Sequence, residues 1–165
     1  MAATVQINEY NGSGQTKSAN IAYGHYLSAD LPGTSDLRTA NPITKPSSGT
    51  NRSYEKFQKL EVTAMGGSSQ IDTIRHYLTG SLPTGFSLWT SAHSTPDTET
   101  YATPVNTDSS KADTAMPTSD PAVATISGTI TAAGESGYVV TQLDVETTAA
   151  AGFDATTQWR YAEIS

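Results

Sequence analysis

The residues of this sequence whose types could do chemistry are its histidines, two pairs of closely spaced carboxylates, and a glycine-rich turn. His25, His76 and His93 stand far apart, without the HxH or HxxxH spacing that brings two imidazoles to one metal. His76 alternates with Ile74 and Leu78 along an apolar face, so it reads as a hydrogen-bonded structural histidine. Asp97 with Glu99, and Asp108 with Asp113, could in principle supply the acid and base of glycoside hydrolysis. They could equally offer hard oxygens to calcium. Both pairs fall in a stretch of Pro, Thr, Ser and Asp that gives two carboxyls no rigid support, and the D-x-D-x-D-G pattern is missing. Solvated loop charge is the expected reading. Asn11-Gly-Ser-Gly14 before Gln-Thr-Lys17 lacks the GK[ST] ending of a phosphate loop and the helix that would follow it, so it is expected to be a turn.

Nucleophilic catalysis has no better footing. There is no G-x-S-x-G elbow, and the absence of cysteine removes thiol catalysis, thiolate metal sites and disulfides together. Trp89, Trp159, Tyr138 and Tyr161 could stack sugars, but aromatics at strand spacing are usually core. No catalytic residue, cofactor or metal is expected, and the chain reads as a non-enzyme.

The elements that would position such residues are strands. Only 15% of residues are charged and 36% are hydrophobic, so the polarity comes from Thr, Ser, Asn and Gly, as in sandwiches of short strands. Leu60, Val62 and Ala64 alternate with Glu61 and Thr63 up to Gly66-Gly67. Ile71 to Thr79 carries Ile74, His76 and Leu78 on one face, and Phe86 to Ser91 follows the turn at residues 80–85. The cleanest alternation is Ala122, Ala124, Ile126, Gly128 and Ile130 against Thr125, Ser127, Thr129 and Thr131, which predicts a strand with one wet face. Tyr138 to Val145 and Thr157 to Ile164 complete the set. Ile126, Ile130, Leu143 and Trp159 are expected to point inward, and Ser127 outward.

This pattern predicts an all-β chain, an antiparallel β-sandwich or jelly roll with an extended N-terminal arm. The arm would span residues 1–50, with strand pieces near Val5–Ile7 and Ile21–Leu27. The sandwich would span 51–165 and carry a long loop at 93–121, which holds four of the eight prolines. The net charge of −7 and the scatter of nine basic residues argue against nucleic acid as a partner. No apolar run is long enough to span a bilayer, and the first residues lack the basic and apolar regions of a signal peptide. No membrane contact is expected.

Two passages carry a resemblance. One is Asn51-Arg-Ser-Tyr-Glu-Lys-Phe57 with Leu60-Glu-Val62, residues 71–77 and residues 82–88; the other is residues 138–145 with 148–152 and Gln158-Trp-Arg-Tyr-Ala-Glu163. Together they resemble small β-sandwich virion proteins of tailed bacteriophages, of the capsid decoration, cement or head-fibre type. The resemblance implies a structural virion protein, made in the host cytoplasm, that binds the outer surface of a phage capsid and stabilises it. Its partners would be the major capsid protein and neighbouring copies of itself, as in a homo-oligomer. A tail or neck component, and a carbohydrate-binding or host-adhesion module, are the alternatives that the same type of domain leaves open.

Overall fold

The computed structural model describes residues 1–21, 26–32, 35–91, 99–151 and 156–165. Its strands are β1 (Thr4–Asn11), β2 (Thr16–Ser18), β3 (Thr50–Arg52), β4 (Lys56–Ala64), β5 (Gln70–Leu78), β6 (Phe86–Thr90), β7 (Thr114–Ala115), β8 (Gly134–Glu135), β9 (Val139–Glu146) and β10 (Thr157–Ile164). Among the described residues, one short helix, α1 (Ser35–Ala40), accompanies them. The chain is all-β and antiparallel, as its period-two patterning predicts.

The main sheet runs β2-β1-β4-β9-β6-β7, with β3 extending the edge of β9 and β8 that of β4. A second sheet pairs β5 with β10 and covers one face of the first. Leu60 and Val62 of β4, Ile71 and Ile74 of β5, Val139 of β9, and Ile126 and Ile130 fill the space between them. Val5 and Ile7 of β1 and Trp159 and Tyr161 of β10 close its margins. Farther along the same face, Leu78, Leu88, Met116, Leu143 and Val145 form a second cluster. A third lies on the opposite face of the main sheet, where Tyr10, Phe57, Tyr138 and Val140 are covered by Tyr101 and Ala112. Strand β9 therefore contributes to all three clusters, which explains why seven of its eight residues are buried.

The N-terminal expectation needs correction in its first part. Strand β1 is an interior strand, in register with β4 from Val5↔Val62 to Tyr10↔Phe57, and Asn8, Glu9 and Tyr10 are buried. An arm reading rested on sparse apolar residues, yet β1 carries buried polar residues on both faces and gains its stability from ladder bonds. A chain starting at Thr50 would lose the strand that completes the sheet. Beyond β2, residues 26–32 also pack inward, with Leu27 fully buried; part of the second strand piece, 22–25, lies outside the described residues.

Residues 122–131 depart further from expectation. They form no strand and touch β5 only at isolated points: Thr125 N and Ile126 N both donate to Ile74 O, and Ile71 and Ile130 exchange a pair of bonds. Two causes act together. Strand β5 bulges there, setting Thr73 and Ile74 against Tyr161 alone, with Thr73 at φ +51°. Gly128 then turns the chain at φ +118°. Ile126 and Ile130 are buried as expected, but Thr125 is buried too, its hydroxyl accepting from His76 N at 3.3 Å. Ala122 is exposed and Ser127 is half-buried, so the supposed wet and dry faces do not survive the turn. A Cβ on Gly128 would stand 3.2 Å from Ser136 Cα. Gly128→Ala is expected to cost about 1–3 kcal/mol in urea denaturation, from backbone strain at that φ. An unchanged midpoint would remove the turn from the account.

Candidate functional site

Among the described residues, a dense group of polar side chains lies on the outer face of the main sheet, beside the Tyr10–Phe57 cluster. Glu61 of β4 and Glu135 of β8 are directly opposed in register. Like charges in that position repel. Lys17 of β2 resolves the conflict by reaching over both, at 2.9 Å from Glu61 and 2.8 Å from Glu135. Lys59 adds a second cation, 3.3 Å from Glu135 and 4.2 Å from the centre of the Tyr138 ring. Asn8 and Gln6 donate to Glu61 at 2.7 Å each, and Tyr10 donates to Glu135 at 2.5 Å.

These contacts decide what the two carboxylates can do. Burial acts to raise the Glu135 pKa, but the bonds from Lys17 and Tyr10 and the charge of Lys59 outweigh it and hold the group at about 2. Glu61 is held below its ordinary value by Asn8 first, then Lys17. A general acid at neutral pH needs a raised pKa on one member of the pair. Both members here are held as anions, and the arrangement acts as a lattice of charge-assisted bonds.

A second group is buried on the opposite face of β1 and β4. Glu9 and Lys56 are almost fully enclosed and 3.0 Å apart. Asn11 and Gln58 also donate to Glu9, at 3.2 and 3.4 Å, and Lys56 donates to the Leu31 carbonyl at 2.6 Å. Asp30 accepts from the Asn11 side chain at 3.1 Å and from Gly12 N at 2.7 Å, which fastens residues 26–31 to the end of the β1–β2 hairpin. The glycine-rich stretch at 11–14 is thus a turn, closed by Gln15 N donating to Gly12 O at 3.1 Å.

The long loop is anchored in its described part, 99–121. Glu55 N donates to Val105 O at 2.9 Å, and the Glu55 carboxylate accepts from Val105 N and from the Ser109 hydroxyl. From β9, the buried Gln142 amide reaches Ser53 O, Val105 O and Thr107 O, and accepts from Ser109 N. These bonds fill the break between β3 and β4, where the ladder is interrupted at residues 53–55. Asp120 sits between Arg75 and Arg160, which oppose one another across β5 and β10, and pairs with both.

Of the carboxylates singled out from the sequence, the three described ones, Glu99, Asp108 and Asp113, have separate partners. Asp97 lies outside the described residues; Glu99 pairs with Lys111 at 2.6 Å. Asp108 is largely exposed and reaches Arg52 at 3.0 Å, while Asp113 is exposed on the far side of Lys111 in sequence. Of the histidines, His25 and His93 fall outside the described residues. His76 is buried and stacks on Trp159 at 4.6 Å between ring centres, and neither ring nitrogen has a partner. Burial lowers its pKa to about 3. The hydrogen bond expected of a structural histidine is therefore absent from its ring. The four aromatics divide between the faces, Trp89 and Tyr138 with the outer cluster, Trp159 and Tyr161 with the inner one, so they form no common stacking surface. Among the described residues, no three of His, Asp and Glu gather as metal ligands, and no helix is long and apolar enough to cross a membrane.

Sequence reasoning missed Glu9, Lys56 and Gln58. The signal was present: Lys56 and Gln58 continue the period-two phase of Leu60 and Val62, and Glu9 that of Val5 and Ile7. A charge in phase with buried residues on each of two strands points to a buried pair. No protein-family model, no curated protein and no solved structure matches this chain.

Proposed function

We propose that this chain is a structural protein of a tailed-phage virion, binding the outer surface of the capsid and stabilising it by contact and not by catalysis. The observation that carries this reading is the fastening of residues 105–109 to the sheet through Glu55 and Gln142. A lid that closes over a substrate is drawn from weakly held segments. This loop is instead held in shape by buried polar bonds, each costly to break. A rigid surface loses little entropy on docking, which favours a protein that binds the same shell site in many copies. The net charge of −7 favours solubility before assembly and disfavours packaged DNA as a competitor. The resemblance over most of residues 50–164 supplies the virion context, with the major capsid protein and neighbouring copies as the partners.

The test is co-sedimentation of the full-length chain with capsids that lack it, at moderate salt to screen non-specific charge contacts. Saturable binding to shells is the expected result, together with greater resistance of the decorated shell to heat. Failure to bind the shells of its own phage would end the proposal, and binding to isolated tails alone would move the protein to the tail or neck.

A further inference from the structure

The buried group around Glu9 is set up for a reaction as well as for pairing. Strands β1 and β4 are in register to the last pair of their ladder, Tyr10↔Phe57; the same register carried one step further would set Asn11 opposite Lys56 on the inner face. Cβ atoms of directly opposed residues are roughly 4.5–5.5 Å apart, and a lysine side chain spans that gap easily. Glu9 lies two residues before Asn11 on the same face. One of its oxygens, Oε1, accepts from both Lys56 Nζ at 3.0 Å and Asn11 Nδ2 at 3.2 Å. All three side chains are buried, with Asn11 6% exposed, Lys56 1% and Glu9 0%. Asn11 Oδ1 is buried with no hydrogen-bond partner.

An amine, a carboxamide and a carboxylate bonded to both are the three parties of an amide exchange. We infer that Lys56 and Asn11 become joined by a side-chain amide bond that the folded protein makes itself, with Glu9 as the proton carrier. Glu9 takes one proton from the Lys56 ammonium. The freed lone pair on Nζ attacks Asn11 Cγ, and the carbonyl electrons move to Oδ1. A second proton passes from Nζ to Nδ2, the Cγ–Nδ2 bond breaks, and the carbonyl re-forms as ammonia leaves. Ammonium, carboxylate and carboxamide give a secondary amide, a neutral Glu9 and ammonia, with no oxidant or co-reactant.

Two features of the site favour the product. The exchange removes both buried charges, which are costly to keep out of water even when paired. It also turns Glu9 into a donor beside the amide oxygen that now has none, and an unsatisfied buried acceptor is itself destabilising. Holding amine and amide side by side supplies the proximity that makes such a step rapid relative to the same groups in solution. A cavity of about 100 Å³ bounded by Ile7, Ile21, Tyr26, Lys56, Gln58 and Trp159 gives the departing ammonia room. The result is a covalent tie between the first strand and the centre of the main sheet in a chain without cysteine.

The test is intact-mass spectrometry of the full chain, unfolded after purification, followed by tryptic mapping. The expected mass is below the sequence mass by that of one ammonia. Trypsin should fail to cut after Lys56 and release one branched peptide joining residues 1–17 to residues 53–59. Lys56→Arg keeps a cation without the nucleophile, and Glu9→Gln removes the proton carrier; both are expected to retain the full mass. A folded wild-type chain at full sequence mass would overturn the inference. So would an ammonia loss confined to the linear 1–17 peptide, which would place it in the backbone at Asn11-Gly12. Should either variant fail to fold, the wild-type branched peptide alone decides.

Discussion

Lys56→Met is expected to destabilise the fold by at least about 3–5 kcal/mol, the range for removing one partner of a buried ion pair, with the loss of any covalent tie to Asn11 adding to it. The methionine fills most of the space that the lysine side chain occupied, so packing is not the main loss. What remains is the Glu9 carboxylate, fully enclosed and stripped of the cation 3.0 Å away. Asn11 and Gln58 still donate to it, but a carboxylate bonded only to neutral amides is poorly compensated in a low-dielectric site. The Leu31 carbonyl loses its donor as well, which loosens residues 26–31 from the sheet. Replacing both partners, as Glu9→Leu with Lys56→Met, should recover the part of the loss that comes from the stranded carboxylate, because neither charge is then left behind. Urea denaturation of the single and double variants measures both effects. A single variant within about 1 kcal/mol of the parent would mean that water reaches Glu9 and that the pair is not buried in solution.

What was legible in the sequence was the part of the fold written in apolar alternation. Leu60 and Val62, Ile74 and Leu78, and Leu143 and Val145 all sit where their phase puts them, because one buried face leaves a strand no freedom to slip by a residue. The same rule misreads 122–131. There the alternation is as regular as anywhere in the chain, yet a bulged β5 and the turn at Gly128 prevent a ladder from forming. Apolar phase reports burial, which is correct for Ile126 and Ile130, and not hydrogen bonding. Strand β1 shows the converse error. Its Asn8-Glu9-Tyr10-Asn11 reads as a polar arm, whereas each of these side chains is buried with partners on β4, on β8 or in residues 26–31.

The polar groups of the candidate site were hidden for a related reason. Lys17, Glu61 and Glu135 are far apart in sequence and ordinary in type; only the register of β2, β1, β4 and β8 brings both carboxylates within 3 Å of Lys17. The loop at 93–121 looked loose because it holds prolines and few large apolar residues. Its described part is fixed by polar bonds to Glu55 and Gln142, which no hydrophobic pattern records. A site built from cross-strand polar contacts leaves almost no local signature.

Acid should weaken this protein well before its carboxylates titrate, and His76 is the reason. In the unfolded chain its imidazole takes a proton near the ordinary value of 6.5, whereas burial in the folded protein lowers that to about 3. Between those two values the unfolded state binds a proton that the folded state refuses, so stability falls as pH falls. The rate of loss is about 1.4 kcal/mol per pH unit. From pH 6.5 to pH 5 this comes to about 2 kcal/mol, and the whole effect down to pH 3 is on the order of 4–5 kcal/mol. Burial is the cause of the shift, since neither ring nitrogen has a partner and the ring lies against Trp159. Glu61 and Glu135, whose values are lowered from 4.5, add their own loss only as the pH drops below that point. Asp144, whose pKa burial raises, and the other histidines are common to the parent and a variant at His76, so the difference in slope between the two from pH 6.5 to 5 isolates His76. His76→Phe keeps an aromatic ring on Trp159 and has nothing to protonate, and it spares the fold two buried nitrogens without partners. Its unfolding free energy should decline less across that interval than the parent's, by about 2 kcal/mol. Equal slopes in parent and variant would show that His76 is open to water, and the packing of β5 against β10 at that position would have to be redrawn.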